Sequence, residues 1–174
     1  MIQITVEPGL WEMARRHLDE SAEQIGFFLA DWSPAGRQFR IRGWQPVLDG
    51  AADVHGQLHV SLPDETRSAI IKWAWAEQAC LIEAHSHGRW GPAAFSLYDL
   101  QNLGEWVPHL WWRLRGRPYA AIVTSVRDLD AIAWIEGPGE TERVDGIAAD
   151  VFFPATGATR LFSLRSDDGR REPL

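Results

Sequence analysis

The chain has 174 residues, enough for one domain with a sizeable core, and its 45% hydrophobic and 24% charged residues are the balance of an ordinary soluble globular protein. A net charge of -7 argues against nucleic acid as the main partner, and the lack of an apolar run of roughly 18 residues argues against a membrane span. The single cysteine, Cys80, allows no internal disulfide and fits a reducing compartment; Met1-Ile2-Gln3-Ile4-Thr5-Val6 lacks the basic start and long apolar run of a signal peptide, so the expected location is the cytoplasm.

Ile2 to Val6 alternates apolar and polar residues and predicts a strand. Pro8 opens a helix through about Leu18, with Leu10, Trp11, Ala14 and Leu18 on its apolar side. Arg15, Arg16 and His17 suit the dipole of its last turns, and His17 reads as a surface residue. Gln24 to Asp31 is apolar and aromatic, a buried strand in which Gly26 marks the close approach of another group. Ser33-Pro34-Ala35-Gly36 is a turn, and Gln38 to Trp44 pairs back as a hairpin. Asp49-Gly50 signals a second turn and Gly56 to Val60 another strand. His55 and His59 stand four apart, useful for a metal only on a helix, and Gly56 with strand-like neighbours argues against one.

Ser61-Leu62-Pro63-Asp64-Glu65 predicts a helix start, with a capping Ser and then Pro and acids, for a helix running to about Gln78. The mostly apolar run from Cys80 to Ala84 follows as a short buried strand, with Cys80 an inert core residue, and the order suggests an α/β layer. Ser96 to about Trp106 reads as a helix on Leu97, Leu100 and Leu103; Leu110 to Leu114 is apolar and aromatic but short. Ala120 to Ser125 and Ala131 to Ile135 form a hairpin around Arg127-Asp128, and Gly137-Pro138-Gly139 breaks the chain. Arg143 to Phe153 and Thr159 to Leu164 predict a last hairpin around Pro154-Ala155-Thr156-Gly157, ahead of a loose polar tail over 166–174. The ten tryptophans are expected chiefly in the core or along groove walls, because each carries a large apolar area and a donor that needs a partner.

The chemistry concentrates at His85-Ser86-His87 and Ser96-Leu97-Tyr98-Asp99. Side chains two apart on a strand share a face, so His85 and His87 reach out together from the strand's end, and Gly88 lets the chain turn away. Asp99 follows His87 by 12 positions, far enough to return from a loop as a third ligand. Two imidazoles and a carboxylate suit a borderline metal, above all zinc. Three protein ligands leave a fourth position open, as catalytic rather than structural sites do. Ser96 and Asp99 also have the spacing of a capping box variant, and a residue held rigidly in a cap can still be a ligand.

A hydrolytic metal site needs a base close by. Glu23 precedes the buried strand in Glu23-Gln24-Ile25-Gly26-Phe27-Phe28-Leu29, well upstream of the two histidines. Here the sequence resembles the JAB/MPN family of zinc metalloproteases, whose JAMM signature is an upstream Glu, then His-Ser/Thr-His, then Ser-x-x-Asp. Glu23, His85-Ser86-His87, Ser96 and Asp99 match it in order. Glu83-Ala84-His85-Ser86-His87 is most similar to prokaryotic members that travel with ubiquitin-like proteins. The resemblance runs from the Ile2 strand to about Ile135. The family usually has Pro after the second His and seven residues before the Ser, where this chain has Gly88 and eight residues, and it has no long insertions like those of eukaryotic lysine-63-specific members.

The resemblance implies a single JAB/MPN-type α/β domain over 1–165, built on a mixed, mostly antiparallel curved sheet flanked by helices. It implies that His85, His87 and Asp99 bind Zn2+, that Glu23 is the general base and that Ser96 donates to the oxyanion. Glu83 would orient an imidazole or be a sheet-edge carboxylate, and Trp90 would border the substrate groove or pack its loop. The implied substrate is the Gly-Gly tail of a ubiquitin-like protein or its conjugates, with E1-like and E2-like proteins as further partners. The alternatives are a peptidase that processes a sulfur-carrier protein and a non-catalytic MPN scaffold.

Overall fold

Alternation buries Ile2 and Ile4 and places the first strand, β1 (Gln3–Thr5), inside the sheet rather than at its edge. The computed structural model describes residues 1–20, 22–48, 53–54, 60–87 and 93–161. Helix α1 (Pro8–Leu18) follows with Pro at its start and Trp11, Ala14 and Leu18 buried, as its apolar spacing predicts. β2 (Ile25–Ser33) and β3 (Gln38–Pro46) form the expected hairpin, closed by Arg37 at φ 46°. The close approach expected at Gly26 is real: the Trp44 ring lies where a Cβ would stand.

β4 (Asp53–Val54) and β5 (Val60–Ser61) make a small separate ladder. Helix α2 (Asp64–Ala76) starts later than a Ser61 cap would put it, on Pro63, and Ser61 is a strand residue instead. The reason is local. A residue before proline is disfavoured in the helical region, so Leu62 cannot open the helix. β6 (Cys80–Ser86) is the expected buried strand, and burial pushes the Cys80 thiol up to about 12.

Helix α3 (Leu97–Arg113) runs well past Trp106 and through Pro108, absorbing most of the stretch that reads as a separate apolar segment. An interior proline costs about 3 kcal/mol, while each fully buried Leu or Val returns roughly 1.5–3 kcal/mol. Val107, Leu110 and Leu114, all buried, outweigh it. β7 (Tyr119–Thr124) and β8 (Leu129–Trp134) pair antiparallel as expected. β9 (Glu142–Arg143), β10 (Gly146–Ala148) and β11 (Phe152–Pro154) complete the set. The last hairpin differs from expectation, because β10 pairs with β11 and the turn falls before Phe152. Residues 155–161 form no strand; the N–H groups of Gly157 and Thr159 go to the Asp130 side chain and that of Thr156 to Leu129 of β8.

The nine-stranded sheet has the order β11-β10-β1-β3-β2-β6-β7-β8-β9. Five of its pairings are antiparallel and three parallel, so it is mixed and mostly antiparallel. Only Val144 and Asp145 separate β9 at one end from β10 near the other. So short a link brings the two ends together: Val144 N–H donates to Ala131, Thr156 N–H to Leu129, and Leu129 bridges Ala155. The sheet is therefore strongly curled. One face packs Ile4, Phe28, Phe39, Ile82 and Ile122 against Trp11, Ala14 and Leu18 of α1. The other packs Phe27, Leu81 and Val123 against Ile70 and Ala74 of α2 and Leu103, Val107 and Leu110 of α3. The chain is thus a single mixed α/β domain with three helices among the described residues, and none of these is long and apolar enough to cross a membrane.

Candidate metal centre

β6 lies between β2 and β7, and its alternation sets the orientation of both histidines. His85 stands opposite Ile25 and beside Val123, on the face covered by α2 and α3. His87 continues the same face one pair further on, held by its N–H donating to Thr124 O at 3.0 Å. Ser86 between them is buried and works on the other side. Its N–H donates to Gln24 O at 2.9 Å, and its hydroxyl accepts from Gln24 N at 3.0 Å.

The third group arrives on the first turn of α3. The capping box predicted from spacing is formed. Asp99 N–H donates to Ser96 Oγ at 3.1 Å, and Ser96 N–H donates to Asp99 Oδ2 at 2.7 Å. The same Oδ2 lies 3.1 Å from His87 Nε2 and 3.7 Å from His85 Nε2, and the two Nε2 atoms are 3.3 Å apart. Tetrahedral bonds of about 2.0–2.1 Å put ligand atoms roughly 3.3 Å from each other, so the three spacings bracket that of a shared cation. The three side chains are only 11, 14 and 18% exposed. The His85–His87–Asp99 group can hold a metal ion.

Glu83 lies behind His85. Its Oε1 is 3.6 Å from His85 Nδ1, on the ring edge away from Asp99, and its Oε2 accepts from the Tyr119 hydroxyl at 3.0 Å. The carboxylate is thus inside the sheet face, against the imidazole, rather than at a sheet edge. Phe95 meets the His85 ring edge-on at 5.5 Å. Burial opposes a charge on His85, but hydrogen bonds to Asp99 and Glu83 outweigh it and raise the imidazole to about 9. Burial likewise opposes the Asp99 charge, and the His85 and His87 bonds outweigh it, holding this carboxyl well below the usual range. Burial and the Glu83 charge push Tyr119 well above the ordinary phenol value, so it remains a donor.

A second carboxylate supports the loop that leads into α3. Asp130 is 1% exposed. Its oxygens accept from the N–H groups of Ala131, Gly157 and Thr159 and from the Thr159 hydroxyl. Thr159 Oγ1 in turn accepts from Phe95 N at 3.0 Å, and Thr156 donates to Ala93 O at 3.0 Å. The segment after β11 is thereby bonded to the residues just before the Ser96 cap. Sequence reasoning missed Tyr119, Asp130 and Thr159. The buried Tyr119 hydroxyl needs a partner, which is the one signal that pointed beyond packing.

Glu23 precedes β2. It stands two residues before Ile25, the residue of β2 paired with His85, and is half-buried. The cap uses the Ser96 hydroxyl as an acceptor, which leaves its proton to donate. His17 is half-buried, with Nε2 3.1 Å from Ile25 O, and takes no part in the cluster. His55, His59, the Asp49-Gly50 turn, Gly88, Trp90 and the tail over 166–174 lie outside the described residues.

No family profile and no curated protein matches the chain. Among solved structures it is similar to the solution structure of protein DSY2949 from Desulfitobacterium hafniense, with a TM-score of 0.53 and 15% identity, covering 85% of this chain and 94% of that one. At that identity the likeness is one of fold alone, a mixed α/β domain of nearly the same extent.

Proposed function

We propose that the chain is a zinc-dependent isopeptidase or peptidase of the JAB/MPN type, acting after the C-terminal Gly-Gly of a ubiquitin-like protein in the cytoplasm. The observation that carries the reading is the convergence of His85, His87 and Asp99, with Oδ2 of Asp99 fixed by a helix cap. Two nitrogens and one oxygen suit zinc better than hard cations, which favour all-oxygen sites. Bound there, zinc supplies Lewis acidity toward the scissile carbonyl and makes water a stronger acid.

The protein groups divide the remaining work. Glu83, with Oε1 3.6 Å from Nδ1 of His85, holds the proton on that nitrogen, so that Nε2 would keep its lone pair for the metal. Glu23 takes the proton of the attacking water on its carboxylate and passes it to the leaving amine. Ser96 donates its hydroxyl proton to the oxyanion as the carbonyl becomes tetrahedral. Glycines beside the scissile bond enter a narrow slot that side chains would block. E1-like and E2-like enzymes would make the conjugates on which such an activity acts.

The test has two stages. Elemental analysis should find about one zinc per chain, lost in His85→Ala while circular dichroism stays native. Glu23→Gln should keep the zinc and lose roughly 10²–10⁴ in cleavage of Gly-Gly–lysine conjugates. Normal cleavage by that variant refutes the base, and a zinc-free native protein refutes the site. Cleavage of a carrier's C-terminal extension alone would move the function to sulfur-carrier processing.

A further inference from the structure

At the other end of α3 lies a surface of different chemistry. A groove of about 860 Å³ separates the last turns of α2 and α3. It lies far from the metal group: Asp99 and Trp112 are 13 residues apart on one helix, or about 20 Å at 1.5 Å per residue. Trp75 and Trp112 line it and are 44 and 72% exposed. Lys72, Arg113 and Arg115 line it too, and among the described residues no carboxylate does. On a chain of net charge -7 this patch has the opposite sign to the whole.

The two arginines lie against the tryptophans. The Arg113 guanidinium lies 5.0 Å from the Trp112 ring centre, and that of Arg115 lies 5.0 Å from the Trp75 ring centre. Arg117 stacks on Trp75 at 5.5 Å and donates to Ala74 O and Ala79 O, which fixes the indole. Arg115 keeps φ at 55°, a left-handed conformation that favours glycine, and Gly116 N–H closes the helix end on Trp111 O at 2.8 Å. Guanidinium groups near indole rings still have N–H groups to offer, and a guanidinium can pair with a carboxylate two bonds at a time. Exposed Trp and Arg together are also the residues that dominate protein interfaces.

We propose that this groove docks an acidic segment of a partner protein. Its carboxylates pair with Lys72, Arg113 and Arg115, and one apolar side chain sets between Trp75 and Trp112. Single-stranded nucleic acid is the less suitable occupant. The chain's net charge of -7 opposes a polyanion, and Trp75 already carries two guanidinium groups where a base would stack. The proposal does not depend on the metal centre.

The test is selection of random dodecapeptides displayed on phage against the full chain, followed by anisotropy titration of the selected peptides and of a dT12 oligonucleotide. The selected peptides should combine Asp or Glu with Leu, Phe or Trp, and should bind more weakly as salt rises. Arg113→Glu with Arg115→Glu should weaken them at least tenfold. Trp112→Ala, at a solvent-exposed position, should do so by a similar factor, with melting temperature unchanged in both. No enrichment, peptides without acidic residues, or selected peptides that bind both variants as well as the parent would overturn the proposal. Tighter binding of dT12 than of any selected peptide would overturn it in favour of nucleic acid.

Discussion

Replacing Glu83 by Gln separates two effects that the centre combines. The substitution removes a charge 3.6 Å from His85 Nδ1 yet keeps an oxygen for the Tyr119 hydroxyl. A carboxylate behind a ligating imidazole fixes the ring and raises its basicity, and losing such a partner typically costs roughly 10–100-fold in metal affinity, or about 1.4–2.8 kcal/mol. The same carboxylate helps to raise His85 to about 9. At pH 7 a metal must therefore displace a proton from a group about two units above the solution, which weakens binding by about 100-fold. Glu83→Gln eases part of that competition. Its net loss should be small at pH 7 and should approach the full 10–100-fold at about pH 9.5, where the proton no longer competes. Competition for cobalt(II) or zinc against a chromophoric chelator, at both pH values, measures it. Equal losses at the two values would refute the role of Glu83 in His85 protonation. No loss at the higher pH would refute its role in orienting the ligand.

Protein prepared without metal should show its own pH dependence. The raised His85 pKa contributes stability that is complete below its ordinary 6.5 and is lost as pH rises through about 9, so the melting temperature should fall across that window, less so in His85→Ala. The depressed Asp99 pKa contributes stability above its ordinary 3.8 that is lost as pH falls below it, giving an acid limb that Asp99→Asn should flatten. Thr159→Val removes both a donor to buried Asp130 and the acceptor of Phe95 N–H; it should cost about 1–3 kcal/mol in urea unfolding and weaken metal binding, while Thr159→Ser stays near the parent.

Elements that neighbouring residues decide are legible in the sequence. The apolar spacing from Trp11 to Leu18 gave α1 within its observed bounds, and the alternation after Gln38 gave a hairpin partner for β2. The pairing of Ser96 with Asp99 was legible as a cap and as a ligand position because both depend on a three-residue offset. Errors arose where a local signal met a stronger one. The spacing of Leu97, Leu100 and Leu103 carries a helix only to about Trp106, but the burial of Val107, Leu110 and Leu114 that extends it through Pro108 is settled by a sheet face formed from distant strands. Ser61 reads as a cap until the proline two residues on is allowed its effect on Leu62. The supports of the centre were beyond reach. Tyr119 is 36 residues from Glu83, and Thr159 is 29 from Asp130 and 64 from Phe95, and no periodicity links them. Alternation within β6 sets Glu83 on the face of His85, but that this face is interior, with Tyr119 as the second partner of the carboxylate, follows from the pairing that brings β7 alongside β6.

The buried thiol of Cys80 turns β6 into its own reporter. Its sulfur stands five residues before His85 on the strand that carries both imidazoles, and its pKa near 12 leaves almost no thiolate while the sheet is intact. An alkylating reagent therefore meets this side chain only when the central strand opens. The labelling rate becomes a clock for that opening, read on the unaltered protein with no introduced probe. A cation gripping the far end of the same strand must slow the clock, because it binds the closed form alone. Occupancy of the centre can thus be followed by mass spectrometry before any substrate is known.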